Sequence, residues 1–255
     1  MYIGLDIGGT KIRGVLVDAV SKKILSKFIV LTPKSKTAFL KTLDTEIVKL
    51  VGKNKISGVG VGLASVVGEY GFLGKTSKFP FMGKWNAKKF FAKFHSKVKI
   101  DNDCRCFLRA EATLGAAKNK KNVLAITIGT GIGSGIMIDG EIYSGSSNSA
   151  GEVGHIIIDG NKTFEESAAK KAFQKYGDRS KIIGIGVANL INVLNPDIVI
   201  LGGGGILTGK VDLKTVRSVA KKYIAPPLAK KTLIIKSRLG ELGPALGAAI
   251  MSQKS

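Results

Sequence analysis

The stretch YIGLDIGGTKIRGVLVD, residues 2–18, decides the fold, because it recurs in altered form as VLAITIGTGIGSGIMID, residues 123–139. Each copy has an apolar run, a glycine turn and a second apolar run, which is the pattern of a β-hairpin. The register extends past the turn, since Gly14 falls on Gly135. Any single hairpin with a glycine turn would look alike, whereas two matched copies indicate a duplicated, two-lobed chain.

The glycine turns of both copies suit an anion. Glycine takes positive φ readily and lets backbone N–H groups face a phosphate. Two facing turns of this kind could hold a phosphate chain between two lobes. Strands that alternate with helices predict an α/β fold with mostly parallel central sheets. Ligands in such folds gather at the carboxyl ends of strands, so the inter-lobe cleft is the expected site.

Composition limits the class of protein. The chain has 255 residues and a hydrophobic fraction of 44%, enough for one large domain or two small ones. Apolar runs are strand-sized, and Met1 leads into a core strand without a signal-peptide pattern, which predicts a cytoplasmic protein with no membrane partner. Cys104 and Cys106 lack a second pair for a disulfide framework or zinc knuckle, so we expect them to pack in the interior.

The net charge of +22 invites a nucleic-acid interpretation, because a polycation gains affinity for phosphate polymers by releasing counterions. Base readout relies on Arg, yet only six of the 40 basic residues are Arg. Lysines are scattered mostly as pairs, with one denser cluster from Lys118 to Lys121. We expect a solvated basic surface and no specific nucleic-acid partner. Attraction of an anionic substrate stays open as the alternative.

Asp6 ends the first predicted strand, just before Gly8, Gly9 and Thr10, where its carboxylate would meet a bound phosphate. A carboxylate repels phosphate unless a cation lies between them. Mg²⁺ is the usual mediator, held by one or two carboxylates together with phosphate oxygens and water. Asp6 is therefore the candidate partner of Mg²⁺, through water. The alternative is an Asp that only hydrogen-bonds its own turn.

Asn102 and Asp103 follow an apolar strand and open a predicted helix, where a catalytic group would face the cleft. A carboxylate there can act as the general base that accepts the hydroxyl proton of a phosphoryl acceptor. Asp is also among the best helix N-caps, so Asp103 could serve only as a cap.

Two further groups of residues are ambiguous on spacing alone. Glu152, His155 and Glu165 form a cluster, but a His beside an apolar strand is more often structural than a ligand. The run from Gly202 to Gly205 follows another apolar strand. Such a run permits close approach by a nucleotide or tight packing of a helix, and both readings stay open.

Five motifs, taken in chain order, resemble those of the ROK family (repressor, open reading frame, kinase) of sugar kinases, within the actin and hexokinase fold group. They are DIGGTK (6–11), DND (101–103), GTGIGSG (129–135), GEVGH (151–155) and NPDIVILGGG (195–204). The resemblance covers nearly the whole chain. It implies a ribonuclease H-like, duplicated two-lobed α/β fold with an inter-lobe cleft.

The resemblance also implies domain limits and residue roles. The N-terminal lobe would span 1–102, completed by the C-terminal helix 240–255, and the C-terminal lobe would span 103–239. Asp103 would be the catalytic base. The sugar would be bound by Asn102, Asp103, Glu152, His155 and Glu165. The nucleotide and its phosphates would be bound by Gly8, Gly9, Thr10, Lys11, Gly129, Thr130, Gly131, Gly133, Gly202, Gly203 and Gly204.

The chain departs from the family pattern at three points. Many members follow the His with a Cys-rich zinc loop, whereas residues 156–165 contain no Cys, so no zinc is expected. Near the sugar pocket of the family, a usual Pro-Gly pair is replaced by Gly62-Leu-Ala-Ser and a frequent Asn by Lys78. The short chain without zinc ligands also resembles the subgroup of glucokinases that use inorganic polyphosphate.

These features predict a kinase that transfers the terminal phosphoryl group of ATP to a hexose hydroxyl, with glucose at its 6-hydroxyl as the leading candidate. Polyphosphate stays the alternative donor, and a homodimer stays open. A sugar-sensing repressor would need an added helix-turn-helix, and we expect none here, because the sequence shows no such segment before its first strand. A sugar-binding protein without activity is the other alternative, although Asp6 and Asp103 are both present.

Overall fold

The structure is a computed structural model in which the chain divides into two compact units. The first comprises Met1–Ala110 and Leu242–Ser255, and the second comprises Glu111–Glu241. The described residues are 1–65, 68, 78–82 and 85–253, together with the backbone of 72–73. Residues 254 and 255 of the predicted C-terminal segment lie outside this set.

The first ten strands and helices form the first unit, except that the last turn of the third helix belongs to the second unit. They are β1 (Tyr2–Ile7), β2 (Lys11–Val17), β3 (Ile24–Leu31), α1 (Lys36–Val51), β4 (Val59–Leu63), β5 (Phe72–Leu73), β6 (Trp85–Asn86), α2 (Ala87–Phe91), β7 (Val98–Asn102) and α3 (Asp103–Leu114).

Five of these strands form one sheet in the order β3-β2-β1-β4-β7. Strand β1 pairs antiparallel with β2 and parallel with β4, which pairs parallel with β7. The register sets Asp6 level with Gly62, and Gly62 level with Asp101. Three neighbouring carboxyl ends therefore meet at one edge of the sheet, which also carries Asn102 and the start of α3.

The second unit contains the remaining strands and all but one of the remaining helices. They are β8 (Val123–Ile128), β9 (Ile132–Ile138), β10 (Glu141–Tyr143), β11 (Ile157–Asp159), β12 (Lys162–Thr163), α4 (Phe164–Ala168), α5 (Lys170–Tyr176), α6 (Ser180–Leu194), β13 (Ile198–Gly202), α7 (Gly204–Leu207), α8 (Leu213–Tyr223) and β14 (Leu233–Lys236). The last helix, α9 (Gly243–Gln253), returns to the first unit.

The second sheet repeats the first. Its order is β10-β9-β8-β13-β14, with antiparallel pairs on the hairpin side and parallel pairs on the other. The duplication predicted from the two hairpins is confirmed. The prediction of mostly parallel sheets is wrong for the described residues. In each sheet the hairpin and a third strand beside it form two antiparallel pairs, which equal the two parallel pairs in number.

Helix α9 lies directly on the first sheet because small residues meet there. A Cβ at Gly4 would collide with the backbone carbonyl of Ala245, and one at Gly60 with that of Ala248. Protein interiors are too densely packed to absorb an extra carbon at such a contact. Glycine in β1 and β4 is therefore a packing requirement of this unit.

Two local differences from the sequence pattern affect the site region. Periodicity predicts one helix near 165–175, but the chain is extended at Ala169 (ψ −179°) and forms α4 and α5 instead. The short strands β10 and β12 were not predicted, because two or three residues carry too little periodicity, whereas β11 lies at the apolar strand predicted beside His155. No helix in the described part of the chain is long and apolar enough to cross a membrane.

Candidate functional site

The turn between β1 and β2 is held by the residues that follow β3. The Gly8 N–H donates to the Lys11 carbonyl at 3.0 Å, which closes the turn. The Thr32 hydroxyl donates to the Gly8 carbonyl at 2.6 Å, and Lys34 Nζ donates to the Gly9 carbonyl at 3.0 Å. The predicted phosphate turn of the first unit is thus anchored through its own carbonyl groups.

The glycines at 8, 9, 129 and 131 of the hairpin turns do not adopt the positive φ that glycine permits. At Gly131 a Cβ would lie 2.3 Å from Oε2 of Glu165, so the carboxylate of Glu165 would have to shift to make room for it. Positive φ occurs instead at Gly151 (+97°) and Gly203 (+86°), where it favours glycine for conformational reasons.

Asp6 is 4% exposed and forms an ion pair across the hairpin. Its Oδ2 lies 2.9 Å from Nη1 of Arg13, its register partner on β2. Burial and the charge of nearby Asp103 raise the pKa of Asp6 from 3.8 to about 7, while Arg13 opposes that rise. Sequence reasoning missed Arg13, although the hairpin register sets residue 13 opposite residue 6.

The start of helix α3 is capped by Asn102. Its Oδ1 accepts the backbone N–H groups of Cys104 at 2.8 Å and of Arg105 at 3.3 Å, which is the N-cap arrangement. Asp103 is then the first helical residue, and its Oδ1 accepts the Cys104 N–H at 2.9 Å. The N-cap role that the sequence left open for Asp103 is therefore filled by Asn102.

Asp101 holds the corner between β7 and α3 and was not among the predicted site residues. Its two carboxylate oxygens lie 2.5 Å from Nε of Arg105 and 3.1 Å from Nη2 of Arg109. Arg105 is 2% exposed, so this pair is largely removed from water. Both arginines lie on α3, and the contacts tie the helix to the strand end beside Asn102 and Asp103. An Asp four residues before an Arg was the available signal.

Glu165 joins the second glycine hairpin to the GEVGH segment. Its Oε2 accepts the Ile132 N–H at 2.9 Å, and the carboxylate lies against Gly131. A Cβ at Gly154 would collide with the Ile132 carbonyl and lie 3.5 Å from the same Oε2. Glycine at both positions lets the hairpin, the 3-10 turn Val153–His155 and Glu165 pack together.

Glu152 precedes this turn, His155 is its last residue, and both are exposed. His155 Nε2 lies 3.8 Å from Glu152 Oε2, and the two side chains are 72% and 49% exposed. Gly151 anchors the segment, because Ser134 of β9 donates its N–H (3.2 Å) and its hydroxyl (2.9 Å) to the Gly151 carbonyl. The structure thus brings Glu152, His155 and Glu165 into one region of the second unit.

The glycine run after β13 lies against the second hairpin. A Cβ at Gly203 would lie 2.6 Å from the Ile128 carbonyl oxygen, and one at Gly205 would lie 3.2 Å from it. A Cβ at Gly129 would lie 3.9 Å from the Gly204 backbone nitrogen. Helix α7 begins within this run, so tight packing of a helix, one of the two readings, is observed against the end of β8, and approach by a nucleotide stays a prediction.

The predicted residues thus fall into one group in each unit. The group of the first unit is Asp6, Gly8, Gly9, Thr10, Lys11, Asn102 and Asp103. The group of the second unit is Gly129, Thr130, Gly131, Gly133, Glu152, His155, Glu165, Gly202, Gly203 and Gly204.

Comparison with known protein families and sequences gives a consistent result. The model of the ROK family matches residues 2–175 and 161–255. N-acetylgalactosamine kinase AgaK of Shewanella sp. (strain ANA-3) is 30% identical, over 80% of this chain and 82% of its own. The xylose repressor of Bacillus spizizenii is 26% identical, over 96% of this chain and 75% of its own. The relatives therefore include both sugar kinases and repressors.

Solved structures share the fold. A ROK family glucokinase from Streptomyces griseus, in complex with glucose and AMPPNP, superposes with a TM-score of 0.89 at 22% identity, over 100% of this chain and 99% of its own. The inorganic polyphosphate/ATP-glucomannokinase from Arthrobacter sp. strain KM gives a TM-score of 0.80 at 27% identity, over 98% and 97%. The resemblance and the fold class inferred from the motifs are confirmed.

Proposed function

Because the chain belongs to the ROK family, we propose that it is a sugar kinase that transfers the terminal phosphoryl group of ATP to a hexose hydroxyl. Glucose at its 6-hydroxyl is the first acceptor that we propose. The observation that carries the proposal is the β7–α3 corner, where Asp103 lies near buried Asp6 while Asn102 caps the helix. A catalytic carboxylate can occupy that position without being needed as the N-cap.

The proposed mechanism rests on positioning and charge. Asp103 accepts the proton of the attacking sugar hydroxyl as the bond to phosphorus forms, and the nucleoside diphosphate leaves with the electron pair of the broken bond. Asp101 forms ion pairs with Arg105 and Arg109 at the junction of β7 and α3. We propose that these pairs keep Asp103 in one orientation. Rigid orientation of a reacting group lowers the entropic part of the barrier.

A divalent cation fits the charges of the first unit. Burial and then the charge of Asp103 raise the pKa of Asp6, so a cation near both carboxylates would relieve their repulsion. No group of three or more His, Cys, Asp or Glu within the described residues could hold a metal alone. Mg²⁺ fits nonetheless, because it needs only one or two carboxylates when phosphates and water complete its shell. We propose Asp6 as its partner through water; bound Mg²⁺ would offset phosphate charge.

The second unit supplies the other proposed ligands. Backbone N–H groups of the turn at Gly129, Thr130 and Gly131, and of Gly203 and Gly204, are proposed to bind the nucleotide. Exposed Glu152 and His155 have side chains able to bond sugar hydroxyls. Glu165 already bonds the hairpin through Oε2, so we propose that it links sugar binding to the position of that turn. We propose no zinc, because residues 156–165 contain no Cys.

Polyphosphate is the alternative donor. Its case rests on the basic composition of the chain and on the likeness to the Arthrobacter glucomannokinase. ATP is preferred because Gly204 of the Gly202–Gly205 run is exposed and a Cβ there would meet no atom within 4 Å, which leaves room for a nucleotide at the backbone. The second candidate function, a sugar-responsive regulator, is favoured by the similarity to the xylose repressor.

The deciding experiment is a phosphorylation panel that crosses glucose, mannose, N-acetylglucosamine, N-acetylgalactosamine and N-acetylmannosamine with ATP and polyphosphate. We expect the highest kcat/KM for glucose with ATP. A higher value for an amino sugar would change the substrate, and a higher value for polyphosphate at physiological salt would change the donor. Sugar binding by calorimetry without any phosphoryl transfer would replace the kinase proposal with the regulator.

A further inference from the structure

A basic pocket lies in the second unit, outside the residues proposed for the kinase reaction. It is shallow, with a volume of about 230 Å³. Its lining comes from β12, α4 and α5. The lining residues are Lys162, Glu166, Lys171, Ala172, Lys175 and Tyr176.

Cations surround the ring of Tyr176 in this pocket. The Nζ atoms of Lys175 and Lys162 lie 4.9 Å and 5.4 Å from the ring centroid, and Cζ of Arg179 lies 5.3 Å from it. Tyr176 is 46% exposed, so the group is open to solvent. One cation over an aromatic ring is a common contact, whereas three around one exposed ring concentrate positive charge at one place.

The acidic groups nearby leave this charge only partly balanced. Glu166 is the acidic residue of the lining, and its Oε2 already accepts the N–H (2.9 Å) and the hydroxyl (3.0 Å) of Thr163. Asp159 lies 4.0 Å from Arg179 and is 48% exposed. Two carboxylates thus face four cations: Lys162, Lys171, Lys175 and Arg179.

The same excess of positive charge affects the pKa of the Tyr176 phenol. A hydrogen bond from Lys175 and the charges of Lys162 and Arg179 lower the pKa of the Tyr176 hydroxyl. Its neutral form can still donate a hydrogen bond to an anion. Like charges held close together repel one another, and an anion with several adjacent charges relieves that repulsion better than separate monovalent ions.

We propose that this pocket binds a small anion that carries linked phosphate groups, with Lys162, Lys171, Lys175, Arg179 and the Tyr176 hydroxyl as its ligands. This site goes beyond the proposed kinase function and does not depend on it. A chain of linked phosphates fits these ligands, because its negative charges lie on neighbouring phosphate groups and can form ion pairs with three cations at once. A single phosphate group forms fewer.

The test is calorimetric titration of the whole chain with tripolyphosphate, with an excess of AMPPNP present to occupy a nucleotide site. We expect the variant Lys171→Gln/Lys175→Gln to bind tripolyphosphate about two- to thirtyfold more weakly, as expected for losing two exposed ion pairs. Lys171→Arg/Lys175→Arg should keep the affinity, because it keeps the charge. Inorganic phosphate should bind more weakly than tripolyphosphate, which distinguishes linked phosphates from a single-phosphate site.

Helix α8 offers a matched control, because exposed Tyr223 has one cation over its ring among the described residues, Lys222 at 5.5 Å, with Lys221 beside it in the chain. Lys221→Gln/Lys222→Gln changes the net charge equally and should leave binding unchanged. Equal weakening in both double variants would mean general attraction to a basic surface and overturn the proposal. Tighter binding of a single-stranded oligonucleotide, lost in Lys171→Gln/Lys175→Gln, would overturn it in favour of a nucleic-acid surface.

Discussion

Replacing Asp103 by Asn tests the proposed base with little disturbance of helix α3. The two capping bonds to Cys104 and Arg105 come from Asn102 and remain in the variant. The bond from the Cys104 N–H to residue 103 has an acceptor in the Asn side chain as well. What the substitution removes is the basicity of the carboxylate.

The expected magnitudes follow from these contacts. General-base assistance contributes about 10² to 10⁴ in rate, so kcat should fall by that factor. A carboxylate in the first helical turn contributes about 0.3–1 kcal/mol, which corresponds to a fall in Tm of roughly 1–4 °C for a protein of this size. Loss of the repulsion between Asp103 and Asp6 works in the opposite direction, so the net change in Tm should be smaller still.

The assay is coupled measurement of kcat with the best acceptor of the panel, together with thermal unfolding of the same preparation. Asn102→Ala is the matched variant, since it deletes the cap and should cost about 0.5–2 kcal/mol of stability. Wild-type turnover in Asp103→Asn would refute the reasoning. A fall in the Tm of Asp103→Asn as large as that of Asn102→Ala would also refute the reasoning, because the lost activity would then reflect a damaged helix.

Three further outcomes are expected. Asp6 has a folded pKa raised to about 7, so the stability it contributes is complete below pH 3.8 and lost as the pH rises through 7. In metal-free buffer the variant Asp6→Asn should therefore gain stability relative to the wild type as the pH rises from 3.8 to 7, by roughly 4 kcal/mol at most. The same dependence of stability on pH in both proteins, measured by urea unfolding, would contradict the raised pKa of buried Asp6. Gly60→Ala should lower the free energy of unfolding by about 1–3 kcal/mol or more through overpacking against Ala248, whereas Gly204→Ala, whose Cβ meets no atom within 4 Å, should change it by less than about 0.5 kcal/mol. The purified protein should keep its circular dichroism spectrum and Tm in chelator while losing activity until Mg²⁺ is restored, and elemental analysis that finds one zinc per chain would contradict the zinc-free proposal.

Much of the fold followed from patterns within short segments. The two glycine hairpins, the long strands and helices α1, α6 and α8 lie close to where periodicity predicts them. A hairpin is specified by a turn and two flanking apolar runs, so its information lies within about 15 residues of chain. Two copies in one chain then imply two similar sheets.

The candidate residues were also found from local motifs, but several of their roles were not. The DND motif predicted Asp103 as the candidate for the cap, although both Asn and Asp favour that position. The bonds of Asn102 to Cys104 and Arg105 resolve the competition. The involvement of Asp101 with Arg105 and Arg109 depends on side-chain directions that spacing alone leaves open.

Contacts between distant segments lay beyond any local pattern. Glu165 bonds Ile132, Gly203 packs on Ile128, and helix α9 lies on β1 and β4 near Gly4 and Gly60. The sequence shows where glycine occurs. The reason that glycine is required there is an atom from a distant part of the chain, which occupies the space that a Cβ would fill. Such needs arise when the sheets and helices pack at the density of a protein interior, because only then do chain-distant backbones approach to van der Waals contact.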